Sequence, residues 1–233
     1  MRKFLTAKWI DLVMANYEVE PKILERRVPY GTELDLNDSR CFASLVGFMF
    51  VDTRVMGMPI PFHINFEEVN LRFYVKRETA GELRRGVVFV KEIVPRYAIV
   101  AVARGLYSEP YECWRTANER DGTSVAYSWS HADCVNRISV TRGASLGVPE
   151  ANSHGEFIIE HYWGYTRRTG GRTDEYKVEH PKWELFDAKE PVIEVDFGKT
   201  YGDEFAFLTG QRPYSVLLAK GSEISVYKSK SLK

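Results

Sequence analysis

The sequence predicts a mainly β fold, a β-rich α+β domain built as a barrel or curled antiparallel sheet with a few short helices. Three observations predict it. Asn65 to Arg77 alternates strictly, with Val69, Leu71, Phe73 and Val75 on one face and Glu68, Asn70, Arg72 and Tyr74 on the other. Arg40 to Val55 is a nearly continuous apolar run, which suits a strand buried on both faces or one bending around a barrel at Gly47. Many short apolar runs recur between turn residues, with few helical patterns among them.

The elements follow in order. Trp9 to Val19 is rich in β-branched and aromatic residues and reads as a strand. A short helix is expected from Pro21, preceded by Glu20 and ended by Pro29. Gly81-Glu82 marks a turn, and Gly86 to Ile93 is the returning strand of a hairpin. Pro95 opens a helix running to about Leu106, since Ile99, Val102 and Ala103 fall at helical spacing; a strand is the alternative. Thr123 to Ser130 and Arg137 to Thr141 read as strands. Gly143 to Gly155 reads as a loop and the best flexible cover. Glu156 to Tyr165, Tyr176 to His180 and Val192 to Phe197 are short strands. A hairpin around Lys220-Gly221, with arms Val216 to Leu218 and Ile224 to Tyr227, closes the chain. Neither a repeat nor a long linker divides it, so one domain over residues 1–233 is expected.

Composition excludes several classes. The chain has 233 residues, 44% apolar and 27% charged, as in an ordinary globular domain. Thirty-two basic residues balance 32 acidic ones, so no one-signed field recruits nucleic acid or an anionic membrane. The start lacks the apolar core of a signal peptide, and no run approaches the ~20 apolar residues of a membrane span, so a cytoplasmic location is expected. Cys41, Cys113 and Cys134 form an odd set without a C-x-x-C pair, which argues against a disulfide framework or a cysteine metal site.

Some motifs carry little chemistry. Gly143-Ala144-Ser145-Leu146-Gly147 matches a nucleophile elbow, but Pro149, Asn152 and Gly155 oppose the helix that must follow. His154, Glu156, Glu160 and His161 crowd four potential metal ligands into eight residues, without the spacing of a metal motif. His131 and Asp133 read as part of a polar turn. No metal or cofactor is expected.

Three clusters are better candidates. Glu68, Asn70 and Arg72 share a strand face that meets either solvent or, in a barrel, the lumen, where they would grip a small anion or carbonyl compound. Arg104, Tyr107, Glu109, Pro110 and Tyr111 gather at the end of the expected helix. Val178-Glu179-His180-Pro181-Lys182-Trp183 sets an imidazole beside an indole, either as ligand-binding groups or as aromatic core.

The segments Trp9 to Val19 (WIDLVMANYEV), Phe66 to Val75 (FEEVNLRFYV), Arg85 to Glu92 (RGVVFVKE), Ala103 to Tyr111 (ARGLYSEPY) and Val178 to Trp183 (VEHPKW) together resemble the YqjF-like DUF2071 family of uncharacterised bacterial proteins. That resemblance implies an acetoacetate decarboxylase-like fold, with its site inside a cone of strands. In the decarboxylase a lysine in a desolvated pocket forms a Schiff base with a β-keto acid, its pKa lowered by burial and a neighbouring cation. The corresponding place here, after Pro110, holds Tyr111, followed by Glu112, Cys113 and Trp114, and the nearest upstream lysine is Lys91. The paired glutamates of the decarboxylase find no counterpart in the Arg40 to Val55 run. Tyr111 cannot form an imine, but it can donate a hydrogen bond or act as a weak acid.

Three readings stay open. In the first, a barrel holds a small carboxylate or carbonyl metabolite through Arg72, Arg104, Tyr107 and Tyr111, with Glu68 and Asn70 orienting the arginines and Trp183 flanking. In the second, a lyase or hydrolase of small oxo acids uses Tyr111, Glu109 or His180 in acid–base roles. In the third, a non-catalytic interaction protein leaves Glu68, Asn70 and Arg72 exposed. No nucleic-acid or membrane partner is expected, and self-association stays open.

Overall fold

The structure, a computed structural model, describes residues 2–107 and 109–232, without the side chains of Leu106, Tyr107 and Thr169. The chain runs β1 (Lys3–Glu18), α1 (Pro21–Glu25), β2 (Glu33–Leu34), β3 (Phe42–Val55), β4 (Met58–Pro59), β5 (Phe66–Thr79) and β6 (Glu82–Val94). It continues through α2 (Tyr97–Tyr107), β7 (Tyr111–Cys113), β8 (Arg115–Arg120), β9 (Ser124–His131) and β10 (Cys134–Gly147). α3 (His154–Ile159), β11 (Trp163–Arg167), β12 (Thr173–Glu179), β13 (Leu185–Glu194), α4 (Phe197–Tyr201), β14 (Ser215–Tyr227) and β15 (Lys230–Leu232) complete it.

Seven strands pair in the order β12-β11-β6-β5-β3-β1-β14, and β14 returns to β12 through Val178 and Val226, so the sheet closes into a barrel. Closure satisfies the backbone groups that an edge strand would leave open. From β14 the sheet continues through β13, β10, β9 and β8. The sheet is mixed rather than purely antiparallel, because β6 pairs in parallel with both β7 and β11.

Alternation along β5 puts its side chains into two separate cores. Val69, Leu71, Phe73 and Val75 pack with Val13 and Leu45 against Tyr127, Trp129 and Ile138 of the β9–β10 layer. Phe66 and Tyr74 turn inward to the barrel core, with Leu12, Met14, Val46 and Phe48. Both faces of β5 are therefore covered, and a one-residue slip would exchange an aliphatic row for a charged one. Each fully buried aliphatic or aromatic side chain here contributes about 1.5–3 kcal/mol by burial.

Several expectations from local pattern are corrected. The segment read as a strand from Glu156 begins instead as helix α3, because Ser153 accepts from the Glu156 N–H and Glu156 accepts from the Asn152 N–H. Phe157, Ile158 and Ile159 are consecutive and all buried, so the short helix shows no 3.6-residue apolar period. The expected loop over 143–155 begins as the last residues of β10, paired with β13. The strand read over 192–197 ends at Glu194, and Asp196 caps α4 by accepting from the Lys199 N–H. Lys220-Gly221 is not a hairpin turn but the middle of β14, which pairs with β1 on either side. Gly221 has φ +79°, and a Cβ there would lie 1.9 Å from the Trp9 carbonyl oxygen, so glycine marks a close crossing of strands. The helix reading of the segment after Pro95 stands as α2.

Candidate functional site

Alternate residues of β5 carry Glu68, Asn70 and Arg72 into the barrel, where Glu68 and Asn70 are only 2% and 1% exposed. β6 adds Glu92 directly opposite Asn70. Its presence depends on a register shift: Leu71 faces Lys91, but Arg72 faces Phe89, leaving Val90 as an extra residue. Without that bulge the inward row would read Val87, Phe89, Lys91. With it, Glu92 turns inward, and Lys91 pairs outside the cavity with Glu112 at 3.0 Å and lies over the Trp114 ring. β7, parallel to β6, then sets Tyr111 beside Glu92.

The polar side chains form a connected group. The Tyr111 hydroxyl donates to Glu68 at 2.8 Å, and Asn70 donates to the other Glu68 oxygen at 3.0 Å. Glu109 accepts from Thr166 at 2.6 Å and from Tyr176 at 2.8 Å. The close approach of Tyr176 needs Gly164, whose added Cβ would fall 2.1 Å from the ring. Burial pushes the Glu68 and Glu109 carboxyls up to about 7. Burial, reinforced by the charges of Glu109 and Glu68, holds Glu92 well above the usual carboxylate range. At neutral pH this group therefore retains protons and offers both donors and acceptors. Tyr111 is raised as well, by burial and by the charges of Glu68 and Glu92, so it stays a phenol.

Beside these acids, Arg72 donates weakly to the Ile158 carbonyl at 3.3 Å and makes no ion pair among the described residues. His161 also lines the cavity; its Nε2 meets Asp35 at 3.2 Å, and Asp35 is held by Arg85 at 2.6 Å. Burial lowers His161 to about 4, leaving it neutral at pH 7. Asn70 Oδ1, Arg72 Nε, Glu92 Oε2 and His161 Nδ1 are buried and have no partner among the described residues. The cavity they share is about 250 Å³, and much of the rest of its wall is apolar, with side chains from β1, β3, β6 and α2 joined by Trp163, Val178 and Val226. No lysine lines it among the described residues, and no cluster of His, Cys, Asp or Glu there has the geometry of a metal site.

The DUF2071 family, described as an uncharacterised conserved protein, matches residues 6–223. The chain belongs to that family. A DUF2071 relative, the uncharacterised protein YqjF of Bacillus subtilis, is 29% identical over 188 residues, covering 79% of this chain and 76% of its own. Among solved structures, the enduracididine biosynthesis enzyme MppR in complex with pyruvate superposes with a TM-score of 0.71 at 14% identity, over 100% of this chain and 91% of that one. Acetoacetate decarboxylase from Legionella pneumophila gives 0.70 at 11% identity, over 100% and 88%. The DUF2071 chain thus has the acetoacetate decarboxylase-like fold, in which no helix among the described residues is long and apolar enough to cross a membrane.

Of the candidates read from the sequence, this DUF2071 protein brings Glu68, Asn70, Arg72, Glu109 and Tyr111 to one cavity. The other candidates stand elsewhere. Arg104 is exposed, and its Nε donates to the Tyr111 carbonyl at 2.7 Å, so it braces the strand that carries Tyr111 without lining the cavity. The side chain of Tyr107 lies outside the described residues. His180 follows the end of β12, where the chain leaves the barrel; it stacks on Trp183 at 4.1 Å beside an outer groove. Trp183 is buried, donates to Ser222 at 2.8 Å and meets the cavity-lining Trp9 edge to face, without itself lining the cavity. The four crowded potential metal ligands also diverge. His154 bonds Asn37 and Ser215, Glu156 pairs with Lys182, Glu160 accepts from Tyr162, and His161 meets Asp35. Ser145 stands on exposed β10, bonded to Glu184.

Sequence reasoning missed Glu92, His161, Thr166 and Tyr176 as members of the site. The one usable signal was Glu92, an acid inside the apolar run Gly86 to Val94, which is costly unless the barrel has a use for it.

Proposed function

We propose that this protein binds a small oxo acid inside its barrel, without a Schiff-base lysine. The observation that carries this reading is a group of buried polar atoms without a partner among the described residues, all on residues lining one cavity: Asn70 Oδ1, Arg72 Nε, Glu92 Oε2 and His161 Nδ1, with Trp9 Nε1 and Thr53 Oγ1 on the same lining. Buried polar groups are nearly always paired, so their convergence fits a polar occupant. Arg72, which lacks a carboxylate partner, suits the carboxylate of the ligand. The protonated Glu92 carboxyl can donate to its carbonyl oxygen. The pyruvate held by MppR, a protein of the same fold, supports the choice of ligand class.

Calorimetric titration with pyruvate should show binding that Arg72→Met abolishes while the far-ultraviolet spectrum stays unchanged. Binding that survives Arg72→Met, or preference for a primary amine over the oxo acid, refutes the assignment.

A second reading, acid–base turnover of the bound oxo acid by lysis or hydrolysis, is favoured by the Glu68 and Glu109 carboxyls at about 7, where proton transfer near neutral pH is most effective. It expects a bell-shaped pH profile lost in Tyr111→Phe; turnover insensitive to that change excludes it.

A further inference from the structure

The chemistry of the cavity is lopsided. Its polar groups form one connected patch from Glu68 through Tyr111, Glu92 and Glu109, whereas β1 and β3 present Leu12, Val46, Phe48 and Phe50 to the same space. α2 closes the apolar side with Ile99, Val102 and Ala103. At the mouth the apolar character continues outward: Val102 is 43% exposed and Ile60 38%. A ligand made only of polar atoms would leave this wall without apolar contact.

The volume points the same way. A cavity of about 150 Å³ accommodates a benzene ring. By proportion, the 250 Å³ here holds on the order of ten non-hydrogen atoms. Pyruvate has six, so an oxo acid of that size fills the polar end and leaves the apolar end open.

Resting on the oxo-acid reading above, we infer that the occupant is an oxo acid with an apolar tail, of the size of one aromatic ring or a chain of about five carbons. Its head meets Arg72 and the carboxyl group, and its tail lies along Phe48, Phe50 and α2. Each methylene buried along that wall raises affinity about fourfold until the space is filled.

The test is a titration of the intact protein with pyruvate, 2-oxobutanoate, 2-oxohexanoate, 2-oxooctanoate and phenylpyruvate, followed by calorimetry and by the fluorescence of Trp9, which lines the cavity. The inference expects affinity to climb about fourfold per carbon, level off near 2-oxooctanoate, and be high for phenylpyruvate. Ala103→Phe, which narrows the apolar end from α2, should cost more affinity the longer the tail. A flat series, with pyruvate bound as well as 2-oxooctanoate and all binding lost in Arg72→Met, overturns the tail while the oxo-acid reading stands. A climbing series of undiminished affinity in Arg72→Met overturns the oxo-acid reading of the head. No binding by any member overturns both.

Discussion

Replacing Glu109 with Gln makes the buried carboxyl group measurable through stability. The amide keeps an oxygen where Thr166 and Tyr176 donate, at 2.6 and 2.8 Å, so the packing is nearly unchanged and only the ionisable group is lost. In the folded protein burial raises Glu109 from 4.5 to about 7. Between those values the folded chain holds a proton that the unfolded chain has released. Its contribution is therefore fully present below pH 4.5 and is lost as pH rises through 7. At about 1.36 kcal/mol per pH unit, wild type loses about 3 kcal/mol by pH 8.5 that the variant does not lose. Removing the Glu109 charge also eases the ionisation of Glu92, whose pKa it raises, so the gain is not smaller than this. His161 and His180, both lowered to about 4 by burial, titrate in both proteins and cancel in the difference between the two curves, which reports the loss of Glu109 together with its effect on Glu92. Thermal melts from pH 4.5 to 8.5 should coincide at the acid end and diverge by roughly 5–10 °C at the alkaline end, with the variant higher. Parallel curves, or a variant less stable at pH 8.5, would refute the argument that burial keeps this group protonated.

Three further outcomes are expected. Gly164→Ala forces a Cβ to within 2.1 Å of Tyr176, displaces that ring from Glu109 and costs about 1–3 kcal/mol in urea unfolding, with loss of ligand binding; an unchanged midpoint would contradict the close packing. Asp35→Asn removes the carboxylate that holds both His161 and Arg85, so it should destabilise by about 1–3 kcal/mol and move the His161 ring titration, followed by NMR, below about 4; an upward movement would refute the role assigned to Asp35. Borohydride reduction in the presence of pyruvate should leave the intact mass unchanged, because no lysine among the described residues lines the cavity and Lys91 pairs with Glu112 outside it; a covalent adduct would place a Schiff base in the site.

Much of this was legible locally. The alternation from Val69 to Val75 sets a strand whatever surrounds it, because side chains on extended backbone must point to opposite sides. It also commits Glu68, Asn70 and Arg72 to a common face. Whether that face met water or a lumen was not written in the strand. It was decided when β14 closed onto β12 and when the β9–β10 layer covered the other face. Helix α3 was misread and α4 missed because each is too short to show an apolar period, so their caps, Ser153 and Asp196, carried the signal. His161 was visible only as one of four potential metal ligands crowded into eight residues, since its partner Asp35 is 126 residues away.

The sequence by itself determined the strand-rich fold, the common face that Glu68, Asn70 and Arg72 share on β5, and the placement of Tyr111 after Pro110. Only the tertiary structure decided which residue of the neighbouring strand joins that row. A strict period of two along β6 would carry Val87, Phe89 and Lys91 inward together, giving the cavity an amine. One extra residue at Val90 reverses the parity, sends Lys91 outward to Glu112 and brings in Glu92. A bulge arises from pairing between two strands, so neither strand's own pattern contains it, yet it sets the charge at the centre of the cavity.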